Sequence, residues 1–197
     1  MANVEPDFIP KAINEITHLV ELNEQVENGM QKLEKVADYM FKIWEGNVGE
    51  EEANRALEAF DQAEPIATFI NLYEARKNGL FTLTNKESNF VKIYHNLLRA
   101  ILNSLKRESI CEKFLNLGCV ERVMADLQSA EFKDARFYRK DESPITQITG
   151  EYFTILFNIS EAKERWLGEK LRENENNFFE TLMTYAISTY DFDCLPI

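Results

Sequence analysis

Histidine and cysteine carry acid–base, nucleophilic and metal chemistry most readily near neutral pH, and the chain has only His18, His95, Cys111, Cys119 and Cys194. No Ser, Cys or carboxylate stands in a recognisable nucleophile arrangement with His95, and there is no GxSxG, HExxH or glycine-rich phosphate loop. The 34 acidic residues make chance carboxylate pairs inevitable, so no single pair points to general acid–base work. The cysteines are odd in number and lack a CxxC or ligand spacing, which argues against a disulfide framework and a zinc site. Cys111 and Cys119 fall on apolar helical faces and read as reduced core residues. The expectation is a protein that is not an enzyme and takes no metal and no cofactor, with an unrecognised helical enzyme kept as one alternative.

Chemistry suited to recognition is better represented. Two stretches, NFVKIYHNLLRAILNSL and ITGEYFTILFNIS, echo one another and each closes on two apolar residues and an asparagine, Ile101-Leu102-Asn103 and Leu156-Phe157-Asn158. An asparagine side chain offers both donor and acceptor, the pair that an extended peptide backbone requires. One and two helical turns earlier, Arg99 and Asn96 in the first stretch and Thr154 and Glu151 in the second fall on about the same face. A competing reading makes the two asparagines structural ties between neighbouring units. A further candidate is the segment QSAEFKDARFYRKDES, the one basic, aromatic segment of an acidic chain, where Phe137, Tyr138 and Arg139 could make loop contacts alongside Phe132.

The elements that must position these residues are helices. Seven Gly and five Pro are sparse punctuation for 197 residues, and 45% hydrophobic with 28% charged residues is an ordinary globular balance. Asp7 is suited to start the first helix, with Pro10 tolerated in its first turn. From there a seam runs through Ala12, Ile16, Leu19, Asn23, Val26, Met30, Leu33, Ala37, Met40 and Trp44, with Phe41 and Ile43 widening the stripe. This predicts one long helix or two, with Asn28-Gly29 as the break, packed on the helices that follow. The alternative is a dimerising coiled coil through residues 12–44, with Asn23 setting register. Beyond Gly49, Phe60, Ile66, Phe69 and Tyr73 recur as Phe114, Val120, Val123 and Leu127, each 54 positions later. Residues 78–85 and 128–143 read as polar connections inside the echoed units. The chain therefore divides into an amphipathic helical segment over 1–48 serving as cap or coiled coil, helical repeats over 49–190, and a tail over 191–197.

The run Phe114-Leu115-Asn116-Leu117-Gly118-Cys119-Val120 followed by Leu127, with Ile155-Leu156-Phe157-Asn158-Ile159, resembles the armadillo family: an apolar first helix, a glycine turn, a second-helix core and a third helix ending in Leu, any residue, Asn, Leu. The resemblance covers residues 50–172, and it implies an all-α, right-handed armadillo-like solenoid of about two to three repeats, preceded here by a long helix or helical hairpin. The echo of 54 to 55 residues exceeds the roughly 40–47 of such units, and the excess falls in the two polar connections. In that family an asparagine near the end of each third helix hydrogen-bonds an extended peptide, and Asn103 and Asn158 occupy that place. Nuclear-import receptors of the family carry tryptophan one turn earlier, where this chain has Arg99 and Thr154, so recognition of an import signal by that route is not implied.

Net charge of −12 argues against a nucleic-acid partner, which requires a cationic face, and disfavours an anionic membrane surface. It leaves either a solvated exterior or a face that attracts a basic peptide. MANVEPDF lacks a signal-peptide pattern, so a cytoplasmic setting is expected, and the sequon at Asn158-Ile159-Ser160 carries little weight there. Cys194-Leu195-Pro196-Ile197 superficially resembles a prenylation box, but Pro196 and the acidic Asp191 and Asp193 argue for no lipid. The functional expectation is a monomeric, non-catalytic adaptor or scaffold binding a protein or peptide, with a basic one a candidate, along a concave groove. A coiled-coil structural or regulatory subunit of a larger complex is the alternative.

Overall fold

A computed structural model describes residues 6–22, 27–135 and 143–163, together with 169, 180 and 181. These contain nine helices and no strand: α1 Phe8–Leu22, α2 Glu27–Trp44, α3 Glu50–Gln62, α4 Pro65–Lys77, α5 Asn89–Ser104, α6 Glu108–Asn116, α7 Cys119–Gln128, α8 Ala130–Ala135 and α9 Pro144–Ala162. None of them is long and apolar enough to cross a membrane.

Local chemistry accounts for the boundaries. Glu50, Glu51 and Glu52 set acidic charge on the positive end of α3, and Arg76 and Lys77 set basic charge on the negative end of α4. Ser143 caps α9 by accepting from the Thr146 amide at 3.4 Å, with Pro144 as its first residue. Gly118 takes φ +68 to turn the chain from α6 into α7, a left-handed conformation that costs glycine little. Asn28-Gly29, the expected break in the N-terminal segment, is helical within α2, and residues 23–26 lie outside the described residues.

The echoed apolar positions form the core. Phe60, Ile66, Phe69 and Tyr73, with Phe114, Val120, Val123 and Leu127, are all buried. Polar contacts link each helix of α3–α5 to a counterpart one echo later: Lys113 Nζ lies 2.6 Å from Asp61, Arg122 Nε 3.4 Å from Glu74, and the Tyr94 and Tyr152 hydroxyls meet at 2.5 Å. The two stretches that end in asparagine run side by side in the same direction. Residues 94 and 95 pair with 152 and 151 near their starts, while 103 and 158 border one depression near their ends. The N-terminal helices extend the arrangement, since Thr17 of α1 meets Thr68 of α4 at 2.7 Å and Asp38 of α2 meets Arg99 of α5 at 3.1 Å. In α2 the seam residues Leu33 and Met40 are wholly buried, whereas Phe41 and Trp44, expected to join the stripe, are 40% and 41% exposed. The side chains of Leu19, Asn23 and Val26 lie outside the described residues.

The two polar connections differ from expectation. Between α4 and α5, Phe81 and Leu83 are buried and Phe81 stacks on Phe90 at 5.6 Å, which fastens the link to the core. In the longer one, α8 is helical and Phe132 is fully buried, stacked on Tyr152 at 5.6 Å, so this aromatic belongs to the interior. Phe137, Tyr138 and Arg139 lie outside the described residues.

Candidate functional site

Helix α5 buries Phe90, Ile93, Tyr94, Leu97, Leu98 and Ile101, and α9 buries Ile145, Ile148, Tyr152, Ile155, Leu156 and Ile159. Helical periodicity then turns the remaining stripe of each toward the same side of the molecule. Between these stripes and the end of α2 lies an open depression of about 240 Å³. Five of the six candidate groove residues border it: Arg99, Asn103, Glu151, Thr154 and Asn158. The sixth, Asn96, lies beneath them with 8% of its surface exposed, and its Oδ1 accepts from Arg99 Nη1 at 3.3 Å. Asn96 thus positions Arg99, and its own side chain is buried instead of bordering the depression.

Side-chain hydrogen bonding fixes what these residues offer. Asn103 Nδ2 donates to the Arg99 carbonyl at 2.9 Å, which spends one amide hydrogen on its own helix and leaves the carbonyl oxygen and the other hydrogen. Thr154 Oγ1 likewise donates to the Gly150 carbonyl at 2.9 Å. Asn158 is half-buried and makes no hydrogen bond among the described residues. Arg99 Nη2 lies 3.1 Å from Asp38, and His95 Nε2 lies 3.4 Å from Glu151.

Sequence reasoning missed the third wall. Phe41, Trp44 and Leu102 complete the border, with Phe41 and Trp44 stacked at 5.9 Å and Lys106 Nζ 5.0 Å from the Trp44 ring. The available signal was the spacing of three between Phe41 and Trp44, which makes the two rings neighbours on the surface of the last turn of α2.

A buried polar cluster joins α4, α5, α7 and α9. Arg76 of α4 pairs with the fully buried Asp126 of α7 and reaches Glu131 of α8 at 3.3 Å. Its guanidinium lies over the rings of Tyr73, Tyr94 and Phe132 at 5.3, 5.8 and 5.7 Å. The Tyr152 hydroxyl donates to Asp126 at 2.8 Å and meets Tyr94. Lys77 Nζ stands 2.8 Å from the other Asp126 oxygen, an ion pair without hydrogen-bond geometry, so that oxygen and Arg76 Nε are buried without hydrogen bonds. Burial works against the Arg76 charge, but Tyr94, Asp126 and Tyr152 outweigh it and hold the guanidinium more firmly protonated than usual. Burial, reinforced by Asp126 and, for Tyr152, by Tyr94, pushes both Tyr94 and Tyr152 well above the ordinary tyrosine value. The cluster thus presents protonated phenols and a paired guanidinium in the interior, suited to holding helices together. The two candidate thiols are equally quiet, since burial raises Cys111 and pushes Cys119 up to about 12.

No protein-family model, curated protein or solved structure matches the chain.

Proposed function

We propose that the protein is a non-catalytic interaction module that binds an extended segment of a partner protein along the depression between α2, α5 and α9, and that its echoed helices form a short solenoid of the armadillo kind. The observation that carries this reading is the convergence on one open depression of two asparagines, a threonine and an exposed aromatic pair, on helices whose opposite faces are buried. Recognition sites combine an aromatic wall with a few polar groups in this way. Asn158 has hydrogen-bonding capacity left, and Asn103 retains a carbonyl oxygen and one amide hydrogen. A backbone strand lying between them would satisfy both.

The test uses linear peptides selected on the full chain from a random display library, with affinities then measured by fluorescence anisotropy. The double substitution Asn103→Ala with Asn158→Ala is expected to weaken a selected peptide by at least tenfold, each lost hydrogen bond being worth roughly 1 kcal/mol. Helix content and melting temperature should stay nearly unchanged, since both side chains reach the surface. A double mutant that loses its fold while binding per folded molecule persists would make the asparagines structural and remove the support for the groove.

A further inference from the structure

The charge around the depression does not follow the charge of the chain. Across the whole protein 34 acidic residues outnumber 22 basic ones, which by itself favours a basic ligand. At the depression Asp38 is paired with Arg99, and Glu151 lies 3.4 Å from the His95 ring. The C-terminal ends of α2 and α5 gather at the Trp44 edge, where the peptide dipoles favour a cation. The chain supplies that cation itself: Lys106, two residues beyond α5, holds its ammonium over the Trp44 ring. Lys106 is exposed and has no carboxylate partner among the described residues. A ligand cation approaching Trp44 would therefore meet a like charge beside the ring, while a ligand anion would meet an ammonium with no carboxylate partner among the described residues.

We infer that the preferred partner is an extended segment carrying an apolar side chain followed closely by a carboxylate. The apolar group lies on Leu102 between the Phe41–Trp44 pair and Thr154, the backbone bridges Asn103 and Asn158, and the carboxylate pairs with Lys106. This rests on the groove reading above and reverses the sign of partner that net charge alone suggests. Phe41 and Trp44 provide the apolar contact, and the pair with Lys106 provides the selection. The ion pair is exposed, so it discriminates by about fivefold and weakens in salt.

The experiment selects random linear peptides in parallel on the wild-type chain and on Lys106→Glu, with Lys106→Gln as a milder variant and circular dichroism as the check on folding. The wild type is expected to enrich peptides with an apolar residue beside Asp or Glu, and Lys106→Glu to enrich apolar residues beside Lys or Arg. Lys106→Gln should weaken the wild-type peptides about fivefold at low salt, with the difference shrinking as salt rises. Trp44→Ala should weaken both peptide sets. Enrichment of basic peptides on the wild type would overturn this inference and leave the groove reading standing. Peptides indifferent to both Trp44→Ala and the double asparagine substitution, or no enrichment at all, would overturn both. Self-association of the wild type that Trp44→Ala abolishes would assign the surface to a second copy of the chain and equally overturn the proposal.

Discussion

Arg76 reaches the interior because three rings shield its guanidinium and two carboxylates neutralise it, and only 4% of its side chain remains exposed. Such a pair adds little net stability relative to apolar residues of the same volume, since desolvation offsets the attraction, but breaking it leaves a bare buried charge. Asp126→Leu alone should therefore destabilise the fold by about 3–5 kcal/mol, while Arg76→Met with Asp126→Leu should recover most of that loss. Urea denaturation of the wild type, both single mutants and the double mutant checks this, and additive losses would show that the residues act separately. No local feature of the sequence foretells the pair. Arg76 looks like a helix-terminal cation suited to the dipole, and its partner is set by how α4 stacks on α7, 50 positions away. The asparagines were legible for the opposite reason, because a helix that repeats its buried face repeats its open face too.

At the scale of elements, the echo of 54 residues was readable because each helix must bury one stripe, and the stripe leaves a period. Departures arise where burial follows the stacking of several helices. Phe132 sits in a run rich in charge that reads as loop, yet α8 turns it onto Tyr152 and Arg76. Phe41 and Trp44 continue the seam numerically, but α2 presents them past the edge of α5. Contacts between counterpart helices also give the fold a pH dependence. Asp61 of α3 is raised by burial, but hydrogen bonds from Lys113 at 2.6 Å and Ser109 at 2.7 Å on α6 outweigh this and hold its carboxyl below the ordinary 3.8. A depressed folded-state value contributes stability that is fully present above the unfolded-state value and is lost as pH falls through the folded one. Asp61→Asn should accordingly melt below the wild type at neutral pH, and the gap should close in strong acid, below about pH 4 where the unfolded carboxyl protonates. A gap that stays constant down to the lowest pH at which the wild type folds would remove Asp61 from the α3–α6 contact.

At the scale of the whole molecule, the N-terminal segment decides whether the chain stands alone. A dimerising coiled coil would require the α2 seam to face outward, but Leu33, Val36, Ala37 and Met40 are fully buried and α2 packs along α5. Tyr39 strengthens the docking by donating to Glu52 of α3 at 2.7 Å, and its phenol is pushed up to about 12 by burial and by that carboxylate. Helix α1 packs on α4 and α2 packs along α5, so the segment covers an apolar face that would otherwise meet water. Sedimentation equilibrium is therefore expected to return the monomer mass of 23.0 kDa across the accessible concentration range. Leu33→Glu should abolish cooperative unfolding, because a charge would be forced into a site with no partner at a cost comparable to the total stability of a domain. The conservative Leu33→Ala should remain folded and monomeric, with a loss of about 2–5 kcal/mol in urea denaturation. A wild-type dimer that Leu33→Glu separates into folded monomers would instead place the seam between two chains, and α2 would then have to leave α5 in solution.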